Sequence, residues 1–403
     1  MAVTEDDARA RDAADPGHRH LFHVPPADGG RYPEAAYLVG NSLGLQPRAT
    51  RAAVEAELDS WARRAVEGHF EGDRPWVPYH EALRGPAARL VGGEPRETVV
   101  MGALTVNLHL LMASFYRPRG ARTLIVIEDA AFPSDSYAVR SQARWHGLDP
   151  DQTVIRTEDA RKTIAEYGDR IALVLLGGVN YRTGELLDIP GITAAGQAAG
   201  AVVGWDLAHA VGNVPLRLHE WGVDFAAWCS YKYLNGGPGA VGGVFVHERH
   251  LGGDAPRLEG WWGTDPALRF RMEPVSRPPA TADAWQVSGP PILSTAPIRV
   301  SLALFDEVGL PALRARSERL TGYLFELLDA LPVTVVTPRD PARRGAQLSV
   351  RVPDAPRLHK ALRHGHGVLT DDRPPDIIRL APVPLYSSYH DCWRAAEAIR
   401  ASL

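Results

Sequence analysis

Short apolar runs alternate with stretches of helical periodicity through the middle of the chain, and that alternation predicts the fold class. Val99–Met101, Thr123–Ile127, Ile171–Leu176, Ala201–Trp205 and Phe225–Cys229 are too short for helices and are bounded by glycines or polar turns, which reads as buried strands. Residues 48–66 repeat apolar side chains through Val54, Leu58 and Trp61 at helical spacing. Strands alternating with helices from about 95 to 250 imply right-handed crossovers and a mainly parallel sheet. From Ile292 a helical region runs to about Leu331, then short strands near 333–337, 347–352, 367–370 and 377–380 alternate with helices, a smaller α+β unit. Residues 1–30 are polar and close on Pro25-Pro26-Ala27-Asp28-Gly29-Gly30, the pattern of a mobile arm. The α/β chain thus divides into an N-terminal segment at 1–45, a large domain at 46–290 and a small C-terminal domain at 291–403.

Composition narrows the function classes. Hydrophobic residues make up 45% and charged ones 23%, ordinary globular usage for a chain of 403 residues. A net charge of −4 and a pI near 6.4, with scattered arginines, leave no electrostatic footprint for nucleic acid or an anionic membrane. The leading residues are acidic and lack an apolar core, and no apolar run approaches the roughly 18 residues of a membrane span, so a cytoplasmic protein is expected. Cys229 and Cys392 are too isolated for a disulfide framework or a metal cluster, which suits a reducing compartment and gives no reason to expect a metal. No GxGxxG follows the first strand and no Walker sequence occurs, so nicotinamide and nucleotide chemistry have no motif.

Lysine is rare: only Lys162, Lys232 and Lys360 occur, and the rest of the 44 basic residues are arginines. Lys162 and Lys360 lie in polar, helix-patterned segments where a solvated ammonium is sufficient explanation. Lys232 follows the buried-looking run at 225–229, sits between Tyr231 and Tyr233, and precedes the turn Asn235-Gly236-Gly237-Pro238-Gly239. A desolvated lysine is a usable amine nucleophile toward a cofactor aldehyde; a strand-end lysine snorkelling to water is the plainer alternative. The strand 201–205 ends on Asp206, with His209 three residues on. Side chains just past the carboxyl ends of parallel strands line the ligand crevice. An acid and a lysine at two such ends suit pyridoxal phosphate, the lysine holding the aldehyde as a Schiff base and the acid keeping the pyridine nitrogen protonated.

The segment DLAHAVGNVPLRLHEWGVDFAAWCSYKYLNGGPG at 206–239 resembles kynureninase, a pyridoxal-phosphate hydrolase of the aspartate-aminotransferase fold (fold type I). The resemblance continues through YLVGNSLGLQP at 37–47, GHFEGDRPW at 68–76, LTVNLHLLMASFYRP at 104–118, AFPSDSYA at 131–138, GWWG at 260–263 and IRLAPVPLYSSYHD at 378–391. It implies cleavage of the Cβ–Cγ bond of L-kynurenine or 3-hydroxykynurenine to an anthranilate and L-alanine, by a homodimer with shared sites. Lys232, Asp206 and Tyr231 are then catalytic, with Tyr231 delivering a proton and reaching the cofactor phosphate. Leu104 and Thr105, at a strand-to-helix turn whose free N–H groups suit a phosphate, join Phe132, Asp135 and His209 around the cofactor. Phe132 is expected to stack on the pyridine. Asn41 and Ser42 approach the substrate carboxylate, His69 the substrate ring, and Arg379 clamps the α-carboxylate. Trp261 and position 289 are expected from the partner chain. His109 reads as a packed core histidine.

The chain departs from the family at Gly177, where serine is expected, at Thr264, where animal enzymes have histidine, and at Gly289, where SxPPI usually carries asparagine. A glycine at 289 is expected to enlarge the ring pocket and to favour a ring-methylated substrate such as 3-hydroxy-4-methylkynurenine, in secondary metabolism. Other chemistries of the fold are the alternative. A cysteine desulfurase or an aminotransferase is conceivable, but neither cysteine sits as a mobile-loop nucleophile. A pyridoxal-dependent regulator would need a basic DNA-binding segment.

Overall fold

The structure is a computed structural model and describes residues 3–403. Its large sheet has seven strands in the order Thr98–Val100, Gly243–Val246, Phe225–Trp228, Val202–Asp206, Ile171–Gly177, Leu124–Glu128, Val154–Thr157. Six run in the same direction, and Gly243–Val246 alone runs antiparallel to both of its neighbours. Except on the edge strand Val154–Thr157, the strand residues are mostly buried on both faces, which is why they read as continuous apolar runs rather than as alternation. On one face Val126, Val174, Val203 and Trp205 enter one core. On the other Ile125, Ile127, Leu173, Leu175 and Phe225 enter a second. The carboxyl ends of the parallel strands, at Glu128, Gly177, Asp206 and Trp228, fall along one edge, where an α/β sheet opens its ligand crevice.

The second sheet is antiparallel, in the order Thr334–Val335, Leu348–Arg351, Ile377–Leu380, Asp371–Arg373. The expected strand at 367–370 is Val368–Leu369, but it pairs in parallel with Ala36–Tyr37 outside this sheet, and the polar Asp371–Arg373 takes the edge instead. The helical region from 292 breaks at Gly309, whose φ of +82° favours glycine, into Ile292–Val308 and Leu310–Asp329. Ile298, Leu302 and Phe305 of the first helix join the core of the large sheet, and Leu320, Leu324 and Leu328 of the second join the core of the small one.

The expected mobile arm is corrected by the structure. Glu5–Ala14 is a helix with a capping box between Thr4 and Asp7. Ala8 is buried in the small-sheet core. The Asp12 carboxylate accepts from Tyr389 N at 2.6 Å and His390 N at 3.1 Å, serving the first turn of the helix Tyr389–Ser402. Asp15 pairs with Arg319 at 2.9 Å. A polar segment is ordered here through charge and capping rather than apolar area; residues 1 and 2 lie outside the described residues. His109 is half-buried, not a core residue, with Nδ1 3.0 Å from Gln142 Nε2. No helix among the described residues is long and apolar enough to cross a membrane.

Candidate active site

A cleft of about 230 Å³ opens at the carboxyl edge of the large sheet, and eight of the residues expected around the cofactor line it: Leu104, Thr105, Phe132, Asp135, Asp206, His209, Tyr231 and Lys232. Its floor carries acids. Asp206 ends its strand buried, and its Oδ1 accepts from Ala208 N at 2.7 Å. Asp135, from the helix Pro133–Trp145, is its neighbour, and burial together with the Asp206 charge pushes the Asp135 carboxyl well above the usual range. Burial raises Asp206 as well, opposed by Lys232, the Ala208 amide and Asp135. The two buried acids are coupled, both raised by burial, with Asp206 raised against the opposing pull of Lys232.

Lys232 stands half-buried on the cleft wall rather than inside the core, with Nζ 5.9 Å from the ring centroids of Phe132 and Tyr231. Burial keeps the Tyr231 phenol protonated by raising it far above its ordinary value. His209 is buried with Nδ1 lacking a partner, and burial and the Lys232 charge hold it neutral. At the far end the helix Leu104–Phe115 starts without a side-chain cap, and the Thr105 and Ser134 hydroxyls lie 2.7 Å apart beside it. Unpaired N–H groups at a helix start, with two hydroxyls, are a phosphate seat. An anion seat, an amine, a buried acid and the unpartnered polar atoms Asp135 Oδ1 and His209 Nδ1 together fit pyridoxal phosphate.

Asn41, Ser42 and Arg379 form a second group. Arg379 is 1% exposed, and Asn41 is equally buried, with Nδ2 2.9 Å from Gln347 Oε1 and with Oδ1 unpartnered. The Arg379 guanidinium expected to clamp the α-carboxylate is already paired with Asp371, Nε donating to Oδ1 at 2.5 Å and Nη2 to Oδ2. Nη2 also donates to Ser42 Oγ at 3.0 Å, and Nη1 to the carbonyl of Tyr181 at 2.7 Å. Asp371 faces Arg379 across paired strands, a register the sequence does not reveal. Tyr181 joins this group to the cofactor cleft, since its ring meets Phe132 edge-on at 5.2 Å.

His69, Trp261 and Gly289 make a third group, all three exposed and none lining the cleft of its own chain. His69 follows the helix Thr50–Arg64 and stacks edge-on to Trp76 at 5.3 Å; Trp261 meets Phe270 at 5.5 Å, and Phe270 meets Phe70 at 5.5 Å. Gly289, expected to enlarge the ring pocket, lies against the Trp262 indole. A Cβ there would come within 3.2 Å of Trp262 Cζ3, so the glycine lets an indole lie against the backbone where a longer residue would stand. Trp262 is 7% exposed and its Nε1 has no partner. Gly177 likewise makes room: a Cβ would meet Glu128 Oε1 at 3.2 Å, and Glu128, which sequence reasoning missed, lines the cleft.

Comparison with known proteins agrees with this geometry. Residues 313–399 match the family described as the kynureninase C-terminal domain. The whole chain is 67% identical to kynureninase of Salinispora tropica, covering 98% of that protein, and 52% identical to kynureninase of Koribacter versatilis, again covering 98%. Kynureninase of Myxococcus xanthus is 52% identical over 98% of this chain and 96% of its own. Among solved structures, cysteine desulfurase from Thermococcus onnurineus NA1 has a TM-score of 0.76 at 15% identity, over 91% of this chain and 94% of its own. The cystine C-S lyase C-DES with its product cysteine persulfide has a TM-score of 0.76 at 19% identity, over 91% and 97%. At that identity they show the fold alone, the aspartate-aminotransferase-like α/β fold. Full-length identity of 52–67% settles the family where the fold does not, and the chain belongs to the kynureninase family.

Proposed function

We propose that the chain hydrolyses the Cβ–Cγ bond of a kynurenine-type amino acid, releasing an anthranilate and L-alanine, with pyridoxal phosphate as cofactor. The observation that carries the assignment of roles is the convergence of Lys232, Asp206 and the uncapped helix start at Leu104 on one cleft. When bound, pyridoxal phosphate supplies an aldehyde for amines and a ring that withdraws electrons from the substrate's Cα. Lys232 Nζ would hold that aldehyde at rest and move the Cα proton. Asp206 would keep the ring nitrogen protonated. The first-turn amides at 104–106 with Thr105 would hold the phosphate, and Phe132 would cover the ring. Ser42 Oγ and Arg379 Nη2 bind the α-carboxylate, which shares the guanidinium with Asp371, while Asn41 lines the same recess. Water adds to the γ-carbonyl carbon, the Cβ–Cγ bond breaks, Tyr231 Oη delivers the proton that Cβ needs, and Lys232 returns its proton to Cα to complete L-alanine. His209, held neutral, offers Nδ1 as an acceptor beside the cofactor.

Gly289 beside the Trp262 indole offers the ring of a substrate in the partner's cleft no amide to hydrogen-bond, only an apolar wall. An apolar wall prefers a methylated ring, and one methyl group is worth roughly 1–3 kcal/mol, or about 10–200-fold. The substrate preferred over L-kynurenine and 3-hydroxykynurenine is then 3-hydroxy-4-methylkynurenine, and the setting secondary metabolism. A Cβ at 289 would crowd Trp262 Cζ3 at 3.2 Å, so the informative variant is Trp262→Phe with Gly289→Asn, in which the smaller ring gives way. kcat/KM for the three compounds should favour the methylated one in the native enzyme and lose that preference in the double variant. Equal values in the native enzyme would leave an ordinary kynureninase.

The enzyme works as a homodimer with shared sites. His69, Trp261 and Gly289 lie exposed in a strip with Phe70, Phe270 and Met272, an apolar surface that a second copy would cover while completing the first copy's cleft. Coexpressing the Lys232→Ala and Trp261→Ala chains tests this. Each is expected to be inactive alone, and mixed dimers with one complete site in two should restore about a quarter of native activity. No recovery from mixed dimers isolated by tag would refute the shared site. The two unpaired, buried cysteines accord with a cytoplasmic setting.

A further inference from the structure

The loop leaving the strand Ile171–Gly177 links the two groups just described. Its backbone carbonyls reach the small sheet at three successive residues. Tyr181 O accepts from Arg379 Nη1 at 2.7 Å and from Gln347 Nε2 at 3.0 Å; Arg182 O accepts from Ser349 Oγ at 2.6 Å, and Thr183 O from Thr337 Oγ1 at 2.5 Å. The Tyr181 ring meanwhile abuts Phe132 over the cofactor cleft. The position of Arg379 is thus tied to the conformation of this loop.

One side chain holds the base of the loop. Glu128, at the end of the neighbouring strand, accepts from Gly177 N at 2.9 Å with Oε1 and from Asn180 Nδ2 at 2.6 Å with Oε2. Asn180 in turn uses Oδ1 to accept from Arg182 N and Thr183 N, each at 2.9 Å. A carboxylate at 128 therefore fixes which way the Asn180 amide faces, and that amide orders the residues whose carbonyls hold Arg379. Gly177 gives Glu128 the space it needs, since a Cβ there would approach Oε1 to 3.2 Å. Burial pushes the Glu128 carboxyl up to about 7, reinforced by Asp206 and Glu185 and opposed by the Asn180 and Gly177 hydrogen bonds. A third acid beside Asp135 and Asp206 is costly to bury, and the loop contacts are what that cost secures.

We propose that Glu128 is a positioning residue for the substrate-carboxylate site, acting through Asn180 and the 178–184 loop on Arg379. The proposal rests on the kynureninase reading for its kinetic arm alone. It is tested in the holoenzyme with Glu128→Gln, Asn180→Ala and the double variant. Glutamine keeps the shape but turns an N–H₂ group toward one of the two donors.

Each single variant should raise KM for kynurenine and the dissociation constant for L-alanine, followed by the change in cofactor absorbance, by on the order of tenfold, with kcat within about threefold. Because both act through one contact, the double variant should be no worse than the poorer single one. Hydrogen exchange at 178–184 should speed up in all three, with cofactor still bound. Additive effects, a fall in kcat at unchanged KM, or loss of cofactor with unchanged loop exchange would each overturn the proposal. A native enzyme inert toward kynurenine would overturn the substrate reading instead and leave the L-alanine and exchange measurements to decide this one. Should Glu128→Gln not fold, Asn180→Ala alone, with the same readouts, still decides.

Discussion

Lys232→Ala should yield a folded protein that releases no measurable alanine from kynurenine and forms no covalent bond with pyridoxal phosphate. The side chain is half-buried on the cleft wall, so its truncation empties cleft space and removes no core packing. No other amine can replace it. Lys162 and Lys360 are exposed, on the helices Ala160–Tyr167 and Ala355–His366. The arginines stay protonated and cannot serve as nucleophiles. Loss of a nucleophile that also moves the Cα proton should lower kcat/KM by on the order of 10⁴–10⁶-fold. The cofactor should still associate reversibly, through the helix start at Leu104 and through Asp206. Borohydride reduction followed by peptide mapping should find the cofactor on Lys232 in the native protein and nowhere in the variant. A variant that keeps its rate, or a label recovered on Lys162 or Lys360, would move the active amine elsewhere. Lys162→Ala and Lys360→Ala serve as controls.

What the sequence disclosed depended on how local the cause was. The strands at 171–177, 202–206 and 225–228 were legible because burial on both faces leaves an apolar run with polar or glycine ends. Once those ends were placed, Lys232 and Asp206 followed. The helix at 5–14 was missed although its capping box is written in Thr4 and Asp7, because its composition is polar and its anchor, Asp12 on the amides of Tyr389 and His390, lies far along the chain. Asp371 on Arg379 depends on strand register and Trp262 on Gly289 on a long-range contact, and neither leaves a pattern at fixed spacing. The same holds for Glu128, whose partners Gly177 and Asn180 lie 49 and 52 residues further on.

Asp206 and Asp135 look interchangeable as two buried acids in one cleft, yet their replacement should differ sharply. Burial and the Asp206 charge push Asp135 well up; burial raises Asp206 too, but Lys232, the Ala208 amide and Asp135 oppose that rise. Asp206→Asn removes the negative charge that keeps the pyridine nitrogen protonated. It retains size, and its side-chain oxygen can still accept from Ala208 N, so fold and cofactor binding should survive. Its kcat should fall by on the order of 10²–10⁴-fold, the worth of one placed acid–base group. Asp135→Asn replaces an acid already pushed well toward its neutral form by burial and Asp206, so the loss should be about one hydrogen bond, roughly 1 kcal/mol and less than about tenfold. Single-turnover alanine release by the two variants, each saturated with cofactor, measures the difference. If Asp135→Asn proves the slower, or Asp206→Asn keeps near-native turnover, the charge sits on Asp135 and the assignment of the ring-nitrogen acid must be exchanged.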